Sequence, residues 1–256
     1  MSEAKVVLSV QDGVATVRFN RPGAKNALDG ECMALLHEAF TAVSADPGVR
    51  VVVLTGTGDT FSAGADLKSA LAKDETGFAA AGPEAFAGLL TTISDCPRPV
   101  IARVQGNVFG GGNGLVAACD LAVADPGVTF AFSEVRLGLI PAVISVVCLA
   151  KLTPAAAREL LLLGGRVPAQ QVLEAGMINA VTGDYDQQID RWVASLKKCG
   201  PNALAGTKDL IATVPGLSRA DAYAYTAQRS GEFFASDEAR EGMSALLEKR
   251  PPSWTV

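Results

Sequence analysis

Two short runs hold the residues through which this chain could do chemistry: Phe61-Ser62-Ala63-Gly64-Ala65-Asp66-Leu67 and Gly110-Gly111-Gly112-Asn113-Gly114. Each lies downstream of a β-branched run that reads as a buried strand, Val51-Val52-Val53-Leu54 and Val100-Ile101-Ala102-Arg103-Val104. Glycine lets the backbone turn sharply and brings its N–H groups close to a bound group. Two such turns at neighbouring strand ends can aim two N–H donors at one point, the arrangement that stabilises a developing oxyanion.

Glu134 is the most suggestive acid. It follows the apolar Thr129-Phe130-Ala131-Phe132 and precedes Val135-Arg136-Leu137-Gly138, which places it at a strand end beside buried material. Partial desolvation raises a carboxyl pKa toward neutrality and suits it to proton transfer. A solvated turn residue, or one paired with Arg136, is the competing reading.

Other chemistries find little support. The lone His37 sits inside a helical pattern with no evident serine or cysteine partner. Neither glycine run has the spacing of a phosphate-binding loop, and Leu115 stands where a dinucleotide-binding glycine run needs its last glycine. No carboxylate–histidine cluster suggests a metal. The five cysteines, Cys32, Cys96, Cys119, Cys148 and Cys199, are widely spaced and read as plain thiols, most of them buried.

The elements that position these runs alternate between strand and helix, then turn helical. Val6, Leu8 and Val10 lead through Asp12-Gly13 to a second strand ending at Phe19, a hairpin signal that Arg21-Pro22-Gly23 closes. Asp29 is placed to cap a helix with Met33, Leu36, Phe40 and Val43 on one face, stopped by Asp46-Pro47-Gly48. Residues 68–88, broken by Pro83, read either as a mobile helical flap or as a surface helix. Short strands follow at 121–124 and 129–132, then helices at 154–163 and 168–175. The tail from Ser195 is helical in pattern. No internal repeat or linker is visible, so the division is a core over 1–195 and a helical region over 196–256.

The length allows a substantial core. A net charge of −5 argues against nonspecific nucleic-acid binding, although Arg18, Arg21 and Lys25 could form a local basic patch for a small anion. The opening residues lack the pattern of a secretory signal, and no apolar run approaches the ~20 residues of a bilayer span. The expectation is a cytoplasmic protein with no membrane partner.

Four blocks in order closely resemble the enoyl-CoA hydratase/isomerase family, the crotonases: Asn20 to Leu28 (NRPGAKNAL), Phe61 to Lys68 (FSAGADLK), Gly106 through the triple glycine to Asp120, and Ser133 to Pro141 (SEVRLGLIP). The run from Glu241 to Arg250 resembles the family's ending, so the likeness spans nearly the whole chain. It implies an α/β fold, a spiral of ββα units with a helical C-terminal trimerisation region, assembled as trimers or pairs of trimers. It makes Ala65 and Gly111 the backbone donors to a thioester oxygen, with Gly111 opening a helix, and Glu134 the catalytic acid and base. Ala24, Lys25, Ala27, Ala63, Asp66 and Leu67 fall where the family lines its coenzyme A pocket, with Gly110 and Gly114 beside the substrate. Coenzyme A would belong to the substrate, an acyl-CoA thioester, and no separate cofactor or nucleic-acid partner is implied.

One position departs from the pattern. Well-studied hydratases of the family hold water between two glutamates, and here Gly114 occupies the place of the first. Asn113 beside it can hydrogen-bond water but cannot act as a base. Hydration through Glu134 alone, double-bond isomerisation by a single carboxyl, and decarboxylation through the oxyanion site are each compatible. So is a relative that binds acyl-CoA or RNA without catalysis. Glycine at this position together with SEVRLGL and the following Pro141-Ala142-Val143-Ile144-Ser145 resembles the branch that hydrates branched glutaconyl-type thioesters.

Overall fold

Two residues set the first chain reversal. In the computed structural model, which describes residues 4–71 and 78–255, Asp12 and Gly13 both take positive φ, 49° and 74°. That turn matches the twist of paired antiparallel strands. It joins β1 (Val6–Gln11) to β2 (Val14–Phe19), with Val6 opposite Phe19. Alternation sends Ala15, Val17 and Phe19 into the core and Thr16 and Arg18 to the outer face. Asp29 caps α1 (Gly30–Ala45) by accepting the Cys32 N–H at 2.8 Å, a contact worth about 1 kcal/mol. Met33, Leu36, Phe40 and Val43 form its buried stripe.

The chain then winds as a spiral. β3 (Val51–Gly56) and β4 (Thr60–Ser62) lead through α2 (Leu67–Leu71) and α3 (Phe78–Ser94) to β5 (Val100–Val104) and β6 (Asn107–Phe109). After α4 (Gly111–Ala118) come β7 (Leu121–Ala124) and β8 (Thr129–Ala131), a 3-10 turn over Ser133–Leu137, and α5 (Ala142–Cys148). The chain continues through α6 (Pro154–Leu163), β9 (Arg166–Pro168), α7 (Ala169–Glu174), β10 (Ala180–Val181) and α8 (Tyr185–Leu196). It ends on α9 (Pro201–Thr213), α10 (Arg219–Phe234) and α11 (Asp237–Leu247).

Successive windings lay one strand on each of two sheets, ordered β1-β2-β3-β5-β7-β10 and β4-β6-β8-β9. The central pairs β3–β5, β5–β7, β4–β6 and β6–β8 are all parallel. The repeat is therefore one of backbone path, invisible as residue periodicity. β3 is buried along its whole length. Val52 and Leu54 join the main core with Leu36, Phe40 and Leu89, while Val51 and Val53 pack with Ile101, Val123 and Ile189 on the opposite face. This is the two-sided burial that a continuous apolar strand in a parallel sheet requires.

The structure corrects three local readings. Pro83 does not break a helix; it lies inside α3, whose Phe86, Leu89, Leu90 and Ile93 are buried. Burial of that face outweighs the missing N–H. The strand expected at 129–132 stops at Ala131, because Phe132 (φ −91°, ψ 70°) already turns into the 3-10 segment. Pro168, expected to open a helix, instead ends β9, and α7 begins at Ala169. The flap expected at 68–88 falls partly on 72–77, outside the described residues.

All five cysteines are free, and Cys199 alone among them is exposed. Among the described residues no helix is long and apolar enough to cross a membrane, and no group of three or more His, Cys, Asp or Glu side chains could hold a metal ion.

Candidate active site

β4 and β6 are neighbours in one sheet, so the glycine turns that follow them emerge side by side. In the first turn, Gly64 takes φ +79°. Its N–H donates to Ser62 Oγ at 3.2 Å, and Ser62 Oγ donates to the Asn26 carbonyl at 3.0 Å. Leu28 bridges the same turn: its N–H donates to the Gly64 carbonyl at 2.8 Å, and its carbonyl accepts the Asp66 N–H at 3.0 Å. Extended backbone alternates its polar groups, so the Ala65 N–H points away from Leu28. It has no acceptor among the described residues.

In the second turn Gly110 takes φ +51° and ψ −124° immediately before α4, a conformation open to glycine. Its N–H donates to the Ala131 carbonyl at 3.0 Å. Asn113 Nδ2 donates to the Gly110 carbonyl at 3.0 Å and to the Ala131 carbonyl at 2.9 Å. Gly111 is the first helical residue, so its N–H belongs to the unpaired first turn and carries the positive end of the helix dipole.

The two turns are in backbone contact. A methyl group built on Gly64 would stand 2.8 Å from Gly111 N and 2.8 Å from the Phe109 carbonyl oxygen. A methyl built on Gly112 would stand 2.8 Å from the Ser62 carbonyl oxygen. Glycine is thus required where the turns meet, and it also brings Ala65 and Gly111 together.

Glu134 sits in the 3-10 turn three residues beyond Ala131. Its Oε1 lies 3.6 Å from where a methyl on Gly110 would be, so the carboxyl faces the second glycine turn. Burial pushes its pKa above the usual carboxylate range. Oε2 is buried without a hydrogen-bond partner among the described residues, leaving an acceptor for a bound group. The Arg136 pairing is not formed: Arg136 Nε donates to the Leu163 carbonyl at 3.1 Å. His37 lies on the exposed face of α1, and its Nδ1 is 3.5 Å from Thr41 Oγ1.

The remaining sequence candidates surround this centre. Ala24 closes the 3-10 turn over Pro22–Ala24, and Lys25, exposed, takes φ +51° and accepts the Ala63 N–H at 3.0 Å through its carbonyl. Ala27 is buried, Ala63 is half-buried, and Leu67 opens α2 with its side chain exposed. Asp66 is paired with Arg21 at 3.3 Å. Gly114 is buried in α4, one turn after Gly111.

The local basic patch does not form. Arg21 turns onto Asp29 (3.1 Å) and Asp66, while Arg18 lies on the outer sheet face. There it lines a groove of about 770 Å³ with Thr55, Arg103 and Tyr185 that includes neither glycine turn nor Glu134. Sequence reasoning passed over Asn26, which is fully buried. Its Nδ2 donates to the Thr57 and Thr60 carbonyls at 2.9 and 2.7 Å, and its Oδ1 accepts the Arg21 N–H at 2.9 Å. The signal available in the sequence is the residue type, since asparagine tolerates the left-handed φ of +52° that it takes here better than most residues. Asn113, read as able to hydrogen-bond water, has its Nδ2 committed to the brace between Gly110 and Ala131, while its buried Oδ1 has no partner among the described residues.

Chemically, the centre offers two backbone N–H groups, of Ala65 and Gly111, on touching turns beside a desolvated carboxyl. Comparison with known proteins gives the family. Residues 9–256 match the family described as enoyl-CoA hydratase/isomerase. A carnitinyl-CoA dehydratase from Salmonella typhimurium is 36% identical over 251 residues, covering 94% of each chain. The crystal structure of an enoyl-CoA hydratase from Mycobacterium smegmatis superposes with a TM-score of 0.93 at 33% identity, covering 99% of this chain and 100% of the other. One from Shewanella pealeana gives 0.91 at 31%, covering 98% and 96%. With this match running from the first strand to the last residue, the chain belongs to the enoyl-CoA hydratase/isomerase family.

Proposed function

We propose that the protein adds water across the 2,3 double bond of an enoyl-CoA thioester. The carrying observation is the backbone contact between Gly64 and Gly111, beside which Glu134 keeps an unpartnered, buried carboxyl oxygen. In this reading the thioester oxygen accepts hydrogen bonds from the Ala65 and Gly111 N–H groups. Charge moves onto that oxygen as the nucleophile adds, and losing one such donor typically costs about 2.7–4 kcal/mol of transition-state stabilisation.

Glu134 takes a proton from water as the water oxygen bonds to C3. The resulting enolate-like anion is held by the two N–H groups, and Glu134 returns a proton to C2. Water is consumed, and Glu134 ends as it began. The same steps in reverse eliminate water, and the Salmonella relative is named as a dehydratase. Coenzyme A enters as part of the substrate, near Ala24, Lys25, Ala27, Ala63, Asp66 and Leu67, and no separate cofactor takes part.

Gly114 favours a second reading. With one carboxyl, Glu134 could instead move a proton from C2 to C4 of a 3-enoyl thioester, giving the 2-enoyl thioester, which is isomerisation. The Gly114, SEVRLGL and PAVIS combination supports a branched or glutaconyl-type acyl group. Exposed apolar side chains on the terminal helices, Phe234, Leu246 and Leu247, support self-association as a trimer or pair of trimers.

The test is turnover of crotonyl-CoA and 3-methylglutaconyl-CoA by the wild type and by Glu134→Gln. Hydration by the wild type that is lost in Glu134→Gln supports the reading. Hydration that survives the substitution overturns the role of Glu134. Conversion of a 3-enoyl to a 2-enoyl thioester without hydration selects isomerisation.

A further inference from the structure

The place of the missing acid is filled. Gly114 lies three residues beyond Gly111, on the same face of α4, so a side chain there would stand one turn from a proposed oxyanion donor. A methyl group built on Gly114 would be 2.5 Å from Ile144 Cγ2, 3.1 Å from Ile144 Cβ and 3.3 Å from Leu90 Cδ1. Real side chains do not approach so closely, and a rotamer change relieves little. Ile144 Cβ is fixed to the α5 backbone, and β-branched residues in helices have one strongly preferred χ1. Ile144 is itself 3% exposed, and Cys148, one turn further along α5, is fully buried. Room for a side chain at 114 therefore requires α5 to move.

We infer that Ile144 is a specificity-determining residue: by occupying the volume next to Gly114 it reserves that position for glycine and confines the site to the single carboxyl of Glu134. The inference rests on the assignment of Ala65, Gly111 and Glu134 to the reaction. It joins two features that are distant in sequence, the glycine in α4 and the isoleucine in α5, into one packing unit. It also sets an apolar surface where a second carboxylate would otherwise face the reacting carbons.

The test is a set of melting temperatures and pH–rate profiles for the wild type, Gly114→Ala, Gly114→Glu, Ile144→Ala and the two double variants. Alanine is the better helix former, so propensity alone would make Gly114→Ala stabilising. The inference expects it to lower Tm, by about 5 °C or more, because overpacking outweighs propensity. Gly114→Ala/Ile144→Ala should melt above the sum of its single variants' losses. Gly114→Glu/Ile144→Ala should fold better than Gly114→Glu and add an ionisation to the rate profile of crotonyl-CoA hydration that Ile144→Ala lacks.

A wild-type Tm for Gly114→Ala, or additive losses in its double variant, would overturn the inference. So would a folded Gly114→Glu/Ile144→Ala with the pH profile of Ile144→Ala. Failure of the wild type to hydrate any enoyl thioester would count against the hydratase reading alone, since the melting temperatures still decide the packing claim.

Discussion

Asn113 Nδ2 and the carbonyl oxygen of Ala131 are 2.9 Å apart, and that bond ties the second glycine turn to the strand leading to Glu134. The same amide donates to Gly110 at 3.0 Å, so one fully buried side chain sets the spacing between the proposed oxyanion donor and the proposed acid. Neither partner is held by covalent proximity. Their alignment depends on this brace and on the Gly110 N–H bond to the same carbonyl.

Asn113→Ala removes the brace, leaving each carbonyl with one bond fewer. Stability should fall by about 1–3 kcal/mol. The value of kcat should fall by up to about 100-fold, because small misplacements of reacting groups are costly, while KM changes little. Asn113→Asp, of the same size, turns an acceptor toward two carbonyls and should be the less stable of the two at neutral pH. Melting curves and steady-state kinetics check both. A kcat that falls no further than the folded fraction would reduce Asn113 to a structural role.

Gly64→Ala places a methyl 2.8 Å from two backbone atoms of the facing turn, at a φ of +79°. Neither atom belongs to a flexible side chain, so the turns must separate. The donors separate with them, and kcat should fall by about 10²–10³-fold. Circular dichroism and melting temperature distinguish this from unfolding. Wild-type kcat in a folded Gly64→Ala protein would contradict the convergence of Ala65 and Gly111.

Much of this arrangement was legible in the sequence where its cause is local. Asp12-Gly13 announces its turn because few other residues accept positive φ, and Asp29 announces α1 because its side chain reaches its own helix. The two glycine turns stand out for the same reason. The ββα spiral came through family resemblance, since its repeat lies in the path of the backbone. Pro83 misled because a buried helix face settled what propensity opposed. The pairing of Arg21 with Asp66, the Asn113 brace and the Ile144 contact join residues far apart in sequence, and no residue type announces its distant partner.

The raised pKa of Glu134 has a consequence for stability. A carboxyl whose folded pKa lies above its unfolded value binds more protons in the native state over that interval, so its contribution to stability falls as pH rises through it. Above the folded pKa the penalty of the buried charge is complete. Below the ordinary glutamate value of 4.5 it is absent. Glu134→Gln should therefore melt above the wild type at pH 8, with the difference shrinking as pH falls toward 4.5. Calorimetry across this range checks the sign, and a gap that widens on acidification would contradict it.

Proton transfer by Glu134 beside the paired N–H donors is most directly measured in D2O. Crotonyl-CoA is incubated with the wild type and with Glu134→Gln, and the products are followed by NMR. The expected result is a 3-hydroxyacyl thioester from the wild type carrying one deuterium at C2, and neither product nor deuterium from a folded, CoA-binding Glu134→Gln. Deuterium appearing at C2 at the wild-type rate in Glu134→Gln would contradict the account.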